Sequence, residues 1–365
     1  MVKSVYIHIP FCKNICSYCD FCKMYYNKSF VDKYLDRLKE EITNNYKGEI
    51  IDTIYLGGGT PSCLNNEQLN YLFEITNIFN KSNNLEFTIE MNPEDIVIDK
   101  IKILKKYGVN RISIGIQTFN KKFLKYLNRY HEYEDIKSKI DLLKENGFNN
   151  INIDLIYAIK DETIEDLKED LDKIKSLDIN HISCYSLMIE ENTKLYIDKN
   201  TSIDENIDYE MYKYIEKYLE SIGFNHYEIS NYSKKNSESK HNLTYWNNLE
   251  YYGFGLSASG YIDNVRYTNT KNLSKYLKSN EKEEIYLNKN DIISYEMILG
   301  LRKFKGINKR NFKKKYGMNI DEYFDIDDLL KNKELIDDGE YIYINKDYMY
   351  VSNNILINFI GDSDE

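Results

Sequence analysis

Six short runs rich in β-branched and apolar residues punctuate the first half of the chain: Ser4–Ile9, Ile51–Leu56, Glu86–Met91, Arg111–Ile116, Asn150–Leu155 and His181–Ser186. They recur at intervals of about thirty residues, the length of one strand-plus-helix unit. The stretches between them carry helical spacing, as at Val31, Tyr34, Leu35, Leu38 and Ile42, and again at Leu69, Leu72, Phe73 and Thr76. Neighbouring parallel strands need a long crossover, and a helix supplies it. The rhythm predicts an α/β fold of six parallel strands with covering helices, either an open sheet or an incomplete barrel. No Gly-x-Gly-x-x-Gly follows the first strand, so a dinucleotide-binding sheet has little support.

Polar residues fall where such a fold does its chemistry. A cysteine-rich loop, the run Gly57-Gly58-Gly59-Thr60-Pro61, Glu90, Gln117 and Asp154 each stand at or just past the end of a predicted strand. In parallel α/β folds the loops at that edge surround one mouth. A single such residue caps a helix or makes a turn; five segments together argue for a shared ligand site. The glycine run fits two readings equally on spacing alone. It lets backbone approach a ligand, or it is a tight turn with Pro61 opening the next helix.

The cysteines are Cys12, Cys16, Cys19 and Cys22, so the first three read C-x3-C-x2-C. Thiolates this close can converge on one inorganic cluster, and cysteine sulfur is the usual ligand of iron–sulfur centres. Three cysteines on a four-iron cubane leave one iron open to another molecule. Tetrahedral zinc needs a fourth ligand, and Cys22 is the candidate. Two C-x2-C pairs sharing Cys19 are poor zinc geometry, and no second pair lies downstream.

With Tyr18 just before the third cysteine, this motif resembles the signature of the radical S-adenosylmethionine superfamily. Its flanks, Tyr6-Ile-His-Ile-Pro-Phe-Cys12 and Cys19-Asp-Phe-Cys22, resemble the oxygen-independent coproporphyrinogen III oxidase-like family, and within it the HemW-like heme chaperones. The resemblance chooses the partial (β/α)6 TIM-like barrel. It implies a 4Fe–4S cluster on Cys12, Cys16 and Cys19, with S-adenosylmethionine on the open iron. It places Gly58, Gly59 and Thr60 at the methionyl end, with Glu90, Tyr6 and Tyr18 beside the cofactor. It assigns Gln117 and Arg129 to holding the cofactor, Arg129 through the carboxylate, and Asp154 to the ribose hydroxyls. One-electron reduction by the cluster would give methionine and a 5′-deoxyadenosyl radical.

Two stretches depart from the family. Its Gly-Leu-Pro-Gly-Gln is here Ala158-Ile-Lys-Asp-Glu162, and its Gly-x-Gly-x-Gly-Ala-His is here Gly253-Phe-Gly-Leu-Ser-Ala-Ser259. The short stretch before Cys12 and the spacing of Cys22 favour the heme-binding branch, which hands heme to an acceptor protein. The alternative is a coproporphyrinogen III dehydrogenase of porphyrin biosynthesis. A non-enzymatic zinc-binding barrel is a third reading, and a radical enzyme acting on RNA a fourth. His241, in His241-Asn-Leu-Thr-Tyr-Trp246, is a possible axial heme ligand, set against a structural histidine bonded to its neighbours. An electron donor such as flavodoxin or ferredoxin is the further partner implied. Cys63 and Cys184 read as buried thiols without a role.

Composition narrows the partners. A net charge of 49 − 59 = −10 argues against nucleic acid. The basic run Lys309–Lys315 reads as solvated helix surface. No apolar leader or spanning run is present, and six cysteines, three in one motif, suit a reducing compartment. The expectation is a cytoplasmic protein with at most peripheral membrane contact. Three segments are expected: a barrel over 1–230, a barrel-closing segment and charged linker over 231–290, and a mainly helical, winged-helix-like domain over 291–365. In the last, a hairpin is expected between Tyr341–Ile344 and Tyr348–Val351.

Overall fold

The computed structural model describes residues 1–279 and 281–360; the last five positions of the expected C-terminal domain, and Asn280 in the expected linker, lie outside them. All six predicted strands form: β1 (Ser4–Ile9), β2 (Ile50–Gly58), β3 (Asn80–Met91), β4 (Arg111–Gln117), β5 (Asn150–Tyr157) and β6 (His181–Ser186). They lie side by side in chain order and every neighbouring pair is parallel. The sheet curls, because inward residues from β2 through β6 all line one cavity.

The connecting helices are α1 (Lys28–Asn45), α2 (Asn66–Ile75), α3 (Ile98–Lys106), α4 (Lys121–Tyr126), α5 (Tyr133–Glu145) and α6 (Ile164–Lys175). Their starts are written in the sequence. Asn27 accepts from the Ser29 and Phe30 amides to cap α1, and Asn65 with Gln68 forms a reciprocal capping box on α2. Helix α1 buries Val31, Tyr34, Leu35, Leu38 and Ile42, one stripe at helical period pressed on the sheet.

The sheet extends beyond the six strands. After α7 (Glu205–Ser221), β7 (Asn225–Glu228) and β8 (Asn231–Ser233) continue past β6. Past β1, a seventh parallel strand β9 (Tyr251–Phe254) is followed by antiparallel β10 (Ser259–Ile262), β11 (Val265–Asn269) and β12 (Lys282–Tyr286). Helix α8 (Lys240–Trp246) connects the two flanks. The segment expected to close the barrel or act as a linker thus contributes five short strands to the sheet.

The C-terminal domain has its own core, built on Ile293, Met297, Leu301, Phe312, Leu335, Ile342 and Phe359. Its order is α9 (Lys289–Gly300), β13 (Ile307–Asn308), α10 (Lys309–Tyr316), α11 (Asp327–Lys331), β14 (Leu335–Asp337), β15 (Tyr341–Ile344) and α12 (Ser352–Leu356). Helices followed by a β wing are the expected winged-helix-like pattern. The expected hairpin is corrected: β15 pairs backwards with β14, and Lys346–Val351 is a 3-10 turn that Asn345 caps by accepting from the Asp347 amide.

Candidate functional site

The cysteine loop leaves β1 and is tied at its base. Phe11–Cys12 pairs with Met24–Tyr25, and the Met24 amide donates to the Pro10 carbonyl at 2.7 Å. Its far side rests on the residues ending α4. The Ser17 amide donates to Leu127 O at 3.1 Å, Asn14 Nδ2 to Asn128 O at 2.7 Å and Asn128 Nδ2 to Ile15 O at 2.8 Å. An ionic clamp centred on the buried Asp95 fixes its flank. Lys13 Nζ stands 2.7 Å from Asp95 Oδ1, which also meets Lys100 Nζ at 2.9 Å, while Ser62 Oγ donates to Oδ2 at 3.0 Å.

Cys12, Cys16 and Cys19 line one cavity of about 490 Å³. Tyr18, Gly58, Gly59, Thr60, Glu90, Gln117, Arg129 and Asp154 line the same cavity. Eleven of the predicted site residues, the three cysteines included, thereby line one hollow, as a shared mouth requires.

The glycine run makes the tight turn, with Pro61 opening a short 3-10 helix, and it packs closely on the cysteine loop. A Cβ at Gly58 would fall 2.6 Å from the His8 ring, and one at Gly59 would fall 2.8 Å from the Pro10 carbonyl carbon and 3.0 Å from Cys12 Sγ. Only glycine lets this turn lie against the cysteine loop. Thr60 Oγ1 donates to Cys12 Sγ at 3.5 Å. The Gly58 amide and the Tyr55 hydroxyl donate to the two oxygens of Glu90, at 3.0 and 2.8 Å. Burial, and then the charge of Asp154, pushes the Glu90 carboxyl up to about 7, against those two bonds. Burial likewise raises Asp154, which accepts from Asn152 Nδ2 at 2.8 Å.

Gln117 reaches the hollow through a bulge. The β4–β5 register slips between Gly115 and Gln117, and Gln117 adopts φ +75°, a left-handed backbone that re-aims its side chain. Arg129 is 8% exposed. Its Nη1 donates to Cys16 Sγ at 3.3 Å and its Nη2 to Asn92 Oδ1 at 3.1 Å and to the Gly115 carbonyl. Its Nε, though buried, has no partner. A guanidinium beside the cysteine loop with a spare donor suits a ligand carboxylate.

These residues fit an iron–sulfur cluster with S-adenosylmethionine. Three thiols line one hollow on a loop fixed at both ends, and Arg129, whose Nε is unmatched, lines the same hollow. Among the described residues no group of three or more His, Cys, Asp or Glu closes on a single metal ion. The zinc reading is corrected by the position of Cys22. It lines an adjoining cavity of about 470 Å³, with Tyr6, His8, Tyr245, Tyr251 and Lys271, and does not complete a fourth vertex with the other three.

Two further expectations change. Tyr6 lines the adjoining cavity and not the cysteine one; its hydroxyl bonds His8 Nδ1 at 3.0 Å, and His8 Nε2 bonds the Cys22 carbonyl at 2.8 Å. Tyr6 therefore braces the loop from behind. His241 is not placed to ligate heme: it is 1% exposed, with Nδ1 bonded to Thr53 Oγ1 at 2.8 Å and Nε2 to Tyr245 OH at 2.7 Å. No ring nitrogen is left for iron, and burial, then the charge of Arg111, depresses its pKa to about 3. Asp95 and Lys100, which hold the loop, and Arg111, which lines the cavity, carried no role in the sequence reading. A basic residue opening an otherwise apolar strand was the available signal for Arg111.

The class of protein is set by this loop on this barrel: residues 6–174 match the Radical SAM superfamily. Over 374 residues the chain is 39% identical to the heme chaperone HemW of Lactococcus lactis subsp. lactis (strain IL1403), covering 99% of this chain and 98% of that one. It is 37% identical over 378 residues to the heme chaperone HemW of Bacillus subtilis (strain 168), covering 99% and 100%. In three dimensions it resembles coproporphyrinogen III oxidase (HemN) from Escherichia coli, a radical SAM enzyme. The TM-score is 0.86 at 23% identity, covering 98% of this chain and 90% of that one, and this likeness speaks for the fold. The chain belongs to the HemW family of radical SAM proteins.

Proposed function

We propose that this chain binds heme and delivers it to an acceptor protein, carrying a 4Fe–4S cluster and S-adenosylmethionine. One observation carries the reading. The cysteine triad shares a single hollow with Glu90, Gln117, Arg129 and Asp154, in a chain that matches proteins named heme chaperone HemW over 99% of its length.

The cluster, when bound, supplies one-electron reduction of the sulfonium, with electrons from a donor of the flavodoxin or ferredoxin class. The chain's own part is positional. Cys12, Cys16 and Cys19 hold the cluster, and the Asp95 clamp fixes their loop. Arg129 takes the methionyl carboxylate, where its planar fork suits two oxygens. The backbone of Gly58–Thr60 and the Glu90 carboxylate frame the methionyl end, Asp154 accepts from the ribose hydroxyls, Gln117 helps to hold the cofactor and Tyr18 stands beside it. The net charge of −10 suits no nucleic-acid partner. No helix among the described residues is long and apolar enough to cross a membrane, in keeping with a cytoplasmic protein that touches membranes at most peripherally.

The test is a hemin titration of anaerobically reconstituted protein. A saturable change in the Soret band is expected, followed by its transfer to an apo-acceptor. No saturable change removes the chaperone reading, and formation of protoporphyrinogen from coproporphyrinogen would replace it with the dehydrogenase.

A further inference from the structure

Three cations line the hollow that the cysteine triad shares: Lys23, Arg111 and Arg129. Two of them are occupied. Arg111 offsets part of what burial does to the Glu90 and Asp154 carboxylates. Arg129 bonds Cys16 Sγ and Asn92 Oδ1, and the reading above gives its spare donor to a ligand carboxylate. Lys23 has had no role. Its ammonium donates to the Cys19 carbonyl and enters no ion pair among the described residues.

The chain fixes this ammonium from both sides. Lys23 ends the cysteine loop, one residue before the strand pairing that ties its base, where Met24 stands opposite Phe11 and Tyr25 opposite Cys12. The Tyr26 amide donates to the Cys12 carbonyl at 2.8 Å. The side chain then turns back four residues to the Cys19 carbonyl, so the backbone holds one end and the bond the other. Lys23 is half-buried, and a charge partly removed from water acts on its neighbours with less screening. The carboxylates that line the hollow do not pair with it. Glu90 accepts from Tyr55 and Gly58, and Asp154 from Asn152, while Asp20 and Glu190 stand exposed to solvent. The ammonium is left beside the loop's own cysteines.

We propose that Lys23 sets the reduction potential of the cluster, its fixed positive charge favouring the reduced state. On reduction the cluster takes one electron from the donor, which is oxidised by one; no bond breaks and no proton moves. The site gains one negative charge, and a cation beside it stabilises that state more than the oxidised one. Lys23 acts through the cluster and is a positioning residue. The inference rests on the cluster reading above and goes beyond it. Three cysteines fix which atoms hold the iron, whereas the charge around them fixes how readily it accepts an electron.

The experiment is a redox titration of full-length, anaerobically reconstituted protein without S-adenosylmethionine. Dithionite and mediators set the potential, and the cluster's visible absorbance and the EPR signal of its reduced form are read. Wild type is compared with Lys23→Gln, which keeps a donor without the charge, and Lys23→Arg, which keeps both. At a fixed potential the reduced-to-oxidised ratio in Lys23→Gln is expected to fall about tenfold, a midpoint lower by about 60 mV. Lys23→Arg is expected to stay with wild type. An unshifted Lys23→Gln overturns the inference. An equal shift in Lys23→Arg also overturns it, because the effect then belongs to the shape of the loop. Should Lys23→Gln take up no iron, Lys23→Arg decides. A loaded Lys23→Arg at the wild-type midpoint supports the charge, and an unloaded or shifted one overturns it. Wild type with neither iron nor sulfide removes the cluster reading itself, a different result from a loaded wild type whose midpoint Lys23→Gln reproduces.

Discussion

Ala158, Asp161 and Ser257 hold left-handed backbone at φ +58°, +62° and +62°, and each replaces a glycine of the pattern that the chain resembles. The loops have kept the shape and lost the residue that adopts it freely. A side chain in this region costs roughly 1–2 kcal/mol, partly offset because glycine also frees the unfolded chain. Ala158→Gly is therefore expected to stabilise the protein by about 0.5 kcal/mol, seen as a higher denaturant midpoint with unchanged slope. Glu162, in the same loop, is 4% exposed. Its Oε2 accepts from the Ile159 amide at 2.9 Å, and its Oε1 is unpartnered. Burial raises its pKa to about 8, the Ile159 bond opposes that, and Asp170 adds to it. The folded state holds this proton more tightly than the unfolded chain, so its contribution is complete below about pH 4.5 and is lost as pH rises towards 8. Glu162→Gln keeps the shape without the charge. Its stability relative to wild type is expected to rise by roughly 4 kcal/mol between pH 5 and pH 9, and urea melts at both values check it. The residues at strand ends were legible because unusual side chains there stand out against apolar runs. The bonds of His241 were legible only in half: Tyr245 stands four residues on along the same helix, a spacing that brings two side chains together, whereas Thr53 comes from β2 and no spacing rule reports it.

At the scale of elements, the parallel strands were readable because a strand buried on both faces must be an apolar run. The flanking strands gave no such signal. β12 is exposed along its whole length, and β9 to β11 are short and rich in tyrosine and glycine, so neither periodicity nor burial marks them. The misplaced hairpin has a local cause. Asp338-Gly339 makes the turn between β14 and β15, with Asp338 Oδ1 accepting from the Glu340 and Tyr341 amides at 2.9 and 2.7 Å. That dipeptide is a hairpin signal, whereas Asn345 starts a helical turn. The clamp on the cysteine loop also belongs here, because Asp95 joins the loop, the glycine run and α3 through Lys13, Ser62 and Lys100. Asp95→Ala leaves a buried ammonium unpaired and is expected to cost about 3 kcal/mol. It should also speed loss of iron to a chelator. Unchanged melting and unchanged iron release would show that the loop holds itself.

At the scale of the molecule, the barrel gathers residues from five strands, the cysteine loop and the segments that follow the strands into a single hollow, and the winged-helix-like domain has a second core of its own. The proposed function requires that Cys12, Cys16 and Cys19 grip a cluster while Cys22 stands apart. Iron and labile-sulfide analysis of anaerobically reconstituted wild type, Cys16→Ser and Cys22→Ser tests it most directly. The prediction is about four irons and four sulfides per chain in wild type and Cys22→Ser, with loss in Cys16→Ser. A colourless wild type after reconstitution, or a Cys22→Ser protein that loses its cluster as completely as Cys16→Ser, would contradict it.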